Sequence, residues 1–153
     1  MSMEKELLNT FDKELLLKDL CGRLPYGVKV NGVFLTYDKD KDKILYKECV
    51  KELNYSHLSR YWTLKPYLFP LSSMTDEQKR EFYKFFEEGI TESANETRQW
   101  LRTKRADETM RPITIAYVMV HELVIEWLNK NHFDYRGLIE KGLAIDATGL
   151  NIY

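Results

Sequence analysis

The densest run of chemically capable side chains in this sequence is His132, Phe133, Asp134, Tyr135 and Arg136, followed by Gly137. An imidazole, a carboxylate, a phenol and a guanidinium this close together could bind an anion, orient a proton or grip a partner. The same residues could equally be used inside the fold. Asp134 suits the N-cap of a short terminal helix. Arg136 suits a forked pair with a carboxylate, and Phe133 and Tyr135 suit burial. Lys65 and Tyr67 join His132, Asp134, Tyr135 and Arg136 as candidate ligand or partner contacts.

Other constellations fail on spacing. His121-Glu122 resembles the start of a zinc-protease helix, but a second His is needed four residues after the first, and position 125 is Ile. His121 and His132, eleven apart, fall on one helix face only if that helix runs unbroken past Asn131, so a metal site of His121, His132 and Asp134 is not assigned. Ser72-Ser73 precedes a helix start that Thr75 already explains. The seven glycines are scattered and form no phosphate loop. No catalytic residue, cofactor or metal ligand is therefore assigned, and the reading leans away from an enzyme. Arg98, Arg102, Lys104 and Arg105 surround Trp100, a pattern that could grip a single nucleic-acid strand. Glu96, Asp107 and Glu108 dilute that charge, so a solvated face is the simpler reading.

The elements that must position these residues are well marked. Asp12 can cap a first helix with Leu15, Leu16, Leu20 and Leu24 on one face, and Gly22 can stop it before Pro25. Val28 and Val30 alternate with Lys29, and Asn31-Gly32 is a strong two-residue hairpin signal. Val33 to Tyr37 would be the return strand, and 44–50 a third strand with a helix as its alternative. Residues 58–65, ended by Pro66, would close the sheet as a fourth strand. Thr75 to Gln78 forms a capping box ahead of Phe82, Phe85, Phe86 and Ile90, with Gly89 as a stop. Residues 91–111 are a polar loop or short helix. The apolar stretch 112–130 reads as a helix, though 113–120 also suits a strand. Tyr135 to Ala144 reads as a short last helix.

The expectation is a single α+β domain over 1–153, with 1–11 frayed. A small antiparallel sheet from residues 26–66 packs against an N-terminal helix and a C-terminal helical group. The charge of −1 argues against a non-specific nucleic-acid binder, which normally carries a basic excess. Cys21 and Cys49 lie beside apolar residues and read as buried thiols. The first residues lack a signal peptide's apolar core, and no run is long enough to span a bilayer, so a cytoplasmic protein without membrane contact is expected. Ten Tyr and three Trp favour a protein partner or self-association.

Three segments, LLLKDLCGRLPYGVKV at 15–30, KPYLFPLSSMT at 65–75 and WLNKNHFDYRGLIEKGLA at 127–144, resemble a family of uncharacterised proteins of gut anaerobes, their prophages and phages. The resemblance implies a shared fold and a mobile-element origin, and it carries no activity or catalytic residue. The tail from Asp146 departs from the proline-containing acidic tail of that family.

Overall fold

A computed structural model describes residues 8–103 and 121–153, with only the backbone for 90–103. The first helix, α1 (Thr10–Arg23), is capped by Asn9, whose side chain accepts from the Asp12 backbone N–H at 2.8 Å. The cap is thus three residues earlier than the Asp12 expected. The helix passes Gly22 and ends at Leu24, one residue before Pro25. Cys21 lies on its exposed side and Cys49 is half-buried, so neither is the buried thiol that was expected.

The sheet begins with β1 (Lys29–Asp38) and β2 (Lys43–Glu52), antiparallel from Lys29 opposite Glu52 to Asp38 opposite Lys43. This corrects the turn expected at Asn31-Gly32, which lies within β1. The real turn spans 39–42. Asp38 Oδ1 accepts from the N–H groups of Asp40 and Lys41, and Asp42 takes a positive φ of 48°. Gly32 serves close approach instead. A Cβ there would lie 2.6 Å from Leu64 Cδ2 and 3.2 Å from the Phe34 ring.

The fourth strand is also displaced from its expected position. Tyr55–Thr63 is 3-10 helical, capped by Asn54, and the next strand is β3 (Lys65–Pro70). Leu64, close ahead of Pro66, is extended (φ −100°, ψ 144°), and the residue before a proline prefers that geometry too. The extended segment starts there rather than ending there. β3 pairs antiparallel with β1 at Val30–Pro66 and Asn31–Lys65 alone. It also pairs in parallel with two short strands from the C-terminal segment, β4 (Phe133–Asp134) and β5 (Ile145–Asp146). The fold is α+β, with a mixed sheet ordered β2-β1-β3-β4 and β5 also on β3. Between β4 and β5 the expected helix is a series of turns, with Gly137 and Gly142 at positive φ.

Two compact units make up the chain, one of Met1–Leu71 with His132–Tyr153 and one of Ser72–Asn131. The first unit's core joins Leu16 and Leu20 of α1 to Val28, Val30, Leu53, Leu64, Leu68, Leu138, Leu143 and Ala144. The second contains α2 (Asp76–Thr103) and a helical segment at 121–130. The capping box forms as expected, with Gln78 N–H donating to Thr75 Oγ1 and Thr75 N–H to Gln78 Oε1. Gly89 does not stop α2. It is buried, and a Cβ there would meet Leu123 Cδ1 at 2.9 Å, so it allows two helices of this unit to approach. Phe82 packs edge-on to Trp127 at 5.1 Å. Residues 113–120, left open between helix and strand, lie outside the described residues.

Candidate functional site

Two features of the first unit could act on another molecule: the polar cluster singled out from the sequence, and one face of the β1–β2 hairpin. The cluster starts on α1. Leu16, Asp19, Leu20 and Arg23 follow helical spacing on one side and are all buried. Two charged residues thus occupy positions that the apolar stripe would give to hydrophobes. Arg23 Nε donates to Asp19 Oδ2 at 2.8 Å, and Arg23 Nη2 donates to the Phe133 carbonyl at 2.6 Å. Arg136 brings its Nε to 3.3 Å from Asp19 Oδ1, close enough for ionic attraction but not aligned as a hydrogen bond. The Tyr135 ring takes both guanidiniums, Arg23 at 5.2 Å and Arg136 at 5.0 Å from its centroid. Burial pushes the Asp19 carboxyl above its ordinary value, against the pull of Arg23 and Arg136.

Asp134 accepts from the backbone N–H groups of Leu138 at 3.0 Å and Ile139 at 2.9 Å. It therefore caps, as expected, but caps turns rather than a helix. His132 sits at a positive φ of 62°, a strained backbone for a residue other than glycine. Its ring stacks on Tyr153 with centroids 3.7 Å apart and planes within 10°. Tyr153 Oη donates to the Tyr67 carbonyl at 2.8 Å and accepts the Lys29 backbone N–H at 2.9 Å. Lys29 Nζ donates to the Ile152 carbonyl at 2.7 Å. Burial, with Arg23 and Lys29 adding to it, lowers the His132 imidazole to about 4, and burial raises the Tyr153 phenol to about 12. At neutral pH both are uncharged.

The structure therefore brings His132, Asp134, Tyr135 and Arg136 into one neighbourhood and ties them to α1, β1 and β3. Tyr67 is buried and contributes its carbonyl, whereas Lys65 is exposed at the start of β3. Asp19 and Arg23 escaped the sequence reading. Their signal was an i,i+4 Asp–Arg pair, in phase with Leu16 and Leu20. Among the described residues, no group of three or more His, Cys, Asp or Glu side chains could hold a metal ion. Of the nucleic-acid candidates, Arg98, Trp100 and Arg102 fall on the backbone of α2, and Lys104 and Arg105 lie outside the described residues. No helix among the described residues is long and apolar enough to cross a membrane.

The hairpin face was not read from the sequence. Among the described residues, β1 beyond Asn31 has only β2 beside it in the sheet. One face of this ribbon meets the core: Gly32 contacts Leu64, and Phe34 packs on His57 with centroids 4.9 Å apart. The other face carries Val33, Leu35 and Tyr37 of β1, with Ile44, Tyr46 and Val50 of β2. These six are 41% to 69% exposed. Leu35 lies opposite Tyr46 and Tyr37 opposite Ile44. The polar residues beside them are engaged, with Asn31 Nδ2 donating to Glu48 Oε1 at 2.8 Å and the Tyr37 hydroxyl donating to Asp42.

No protein family, curated protein or solved structure matches this chain.

Proposed function

We propose that this chain is a non-enzymatic interaction module that binds a protein partner or itself, in the mobile-element setting that the resemblance of 15–30, 65–75 and 127–144 implies. One observation carries the reading: the half-exposed apolar face formed by adjacent Val33, Leu35, Tyr37, Ile44 and Tyr46, with Val50 beyond Glu48 on the same side. Single exposed hydrophobes are ordinary on protein surfaces, but a contiguous patch of this size marks contact with another molecule. Tyrosine suits such a role, because its ring buries area while its hydroxyl stays wet or bonded.

The polar cluster supports the same reading by its own commitments. Arg23, Asp19 and Asp134 are buried and engaged within the fold. The test is a paired substitution on the face, Leu35→Lys with Tyr46→Glu, in the full chain. The wild type is expected to associate with itself or a protein partner in sedimentation and cross-linking experiments, and the variant to lose that association while keeping its circular dichroism spectrum. Equal association by both proteins would remove the hairpin face from the function.

A further inference from the structure

We infer that the occupant of the hairpin face is a second copy of this chain, packed face to face across a twofold axis that runs along the strands. The inference rests on the interaction reading above and names its partner. Its first support is area. Aromatic and large aliphatic side chains at half exposure present on the order of 100 Å² each, so six present roughly 600 Å² and two facing copies roughly 1,200 Å². That reaches the lower bound for a stable, specific interface. A single copy meeting a flat polar surface would not recover the same apolar burial.

The second support is shape. A twofold axis along the strands sets β1 of one copy over β2 of the other. The register then places Leu35 against Tyr46 and Tyr37 against Ile44 of the second copy, with Val33 against Glu48, whose carboxylate is held by Asn31 beside it. Each aromatic ring meets an aliphatic side chain, on both sides of the axis at once. An isologous interface needs this self-complementarity. Aligned packing of two sheets is also an ordinary way for apolar strand faces to be covered.

The third support is charge. The six central residues are uncharged, and Glu48 already accepts from Asn31. Charge within and around the face is of both signs: Glu48 lies inside it, opposite Val33 and paired with Asn31, the Arg60 guanidinium lies 5.9 Å from the Tyr46 ring centroid, and Asp38, Lys39, Asp40, Lys41 and Asp42 occupy the turn end. A twofold copy therefore meets no large field of like charge. Edge-to-edge pairing of β2 with itself is disfavoured by contrast. Lys43, Lys47 and Lys51 recur along that edge, and lysines of this kind block strand addition.

The experiment is sedimentation equilibrium of the full chain, with Tyr46→Glu, Leu35→Lys and a control, Leu150→Lys. Leu150 is also half-exposed but lies outside the face. The wild type and the control are expected to approach twice the chain mass of 18.3 kDa at sub-millimolar concentration. Tyr46→Glu and Leu35→Lys are expected to raise the dimer dissociation constant at least about thirtyfold, the size of a hot-spot loss. A photoreactive residue in place of Tyr46 is expected to give a cross-linked dimer. A dimer that survives both face substitutions overturns the inference. A monomer whose residue 46 cross-links to a different protein also overturns it but leaves the interaction reading standing. A monomer whose residue 46 cross-links only within its own chain overturns both.

Discussion

Replacing Arg23 with Met should be among the most damaging single substitutions available in this chain. Arg23 is fully buried, and its guanidinium donates to Asp19 at 2.8 Å and to the Phe133 carbonyl at 2.6 Å. Met fills most of the same volume, so the cavity penalty is small. The loss is electrostatic. A hydrogen bond to a charged group is worth about 1.5–3 kcal/mol, and removing one partner of a buried ion pair costs about 3–5 kcal/mol in all. Arg136 tempers this, because its Nε stays 3.3 Å from Asp19 Oδ1. We expect a loss of about 3 kcal/mol, read as a lower urea midpoint in circular dichroism.

The double variant Asp19→Leu/Arg23→Met sharpens the test. It removes both buried charges and leaves Arg136, whose side chain is 23% exposed, free to turn toward water. Its stability should return to within about 1 kcal/mol of the wild type, because apolar replacement of a whole buried pair is often neutral. The double-mutant cycle should then show a coupling of at least about 2 kcal/mol. An Arg23→Met variant that loses less than about 1 kcal/mol, or a double variant as unstable as the sum of the singles, would refute the account of the cluster as a clasp.

The same geometry gives three further outcomes. His132 is lowered from 6.5 to about 4, so the fold favours its neutral form. That stability is fully present above pH 6.5 and is lost as pH falls through 4; it is worth about 3 kcal/mol from the shift alone and roughly half that after allowance for partial exposure. His132→Asn, which tolerates the positive φ, should flatten the stability profile between pH 6.5 and 4 in urea titrations, and an NMR titration placing His132 near 6.5 would contradict the burial argument. Gly32→Ala should cost about 1–3 kcal/mol in thermal denaturation, because the new methyl meets buried Leu64 at 2.6 Å, and Leu64→Val should recover part of the loss. Asp134→Ala should cost about 0.5–2 kcal/mol and speed hydrogen exchange at the Leu138 and Ile139 amides, whereas unchanged exchange there would show that the cap does not hold those turns.

Local chemistry was legible wherever a few neighbouring residues decide the outcome. The Thr75–Gln78 capping box forms, and 44–50 lies within the β2 strand rather than a helix. Asp134 caps the turns on its C-terminal side. The failures came where a distant contact overrode a local signal. Asn31-Gly32 would turn in isolation, but Leu64 and the β1–β2 register hold it in a strand. Gly89 would stop an isolated helix, yet Leu123 makes the same glycine a packing site within α2. Misplacing the hairpin turn also hid the functional candidate. With the turn at 31–32, the run Val33 to Tyr37 reads as one strand of a broad sheet. With the turn at 39–42, it becomes half of a projecting ribbon whose second face is rich in exposed hydrophobes.

The cluster at 132–136 is tied into the sheet by contacts of the same long-range kind. The first unit is built from two stretches of chain separated by the residues of the second. β3 ends where β4 begins: Phe69 lies opposite Phe133, and the Phe69 N–H donates to the His132 carbonyl at 2.8 Å. The chain leaves the sheet at Leu71 and returns one strand away at His132, so the returning segment must be fixed against partners it has no sequence proximity to. Apolar burial supplies much of that, through Phe133, Leu138, Leu143 and Ala144. It does not by itself fix register, because two-residue strands offer few ladder bonds. Directional contacts do: Arg23 to the Phe133 carbonyl, Asp134 to the next turn and Tyr153 to the Tyr67 carbonyl. A dense set of polar types is what such a return requires. Their concentration at 132–136 accompanies the closing of the sheet.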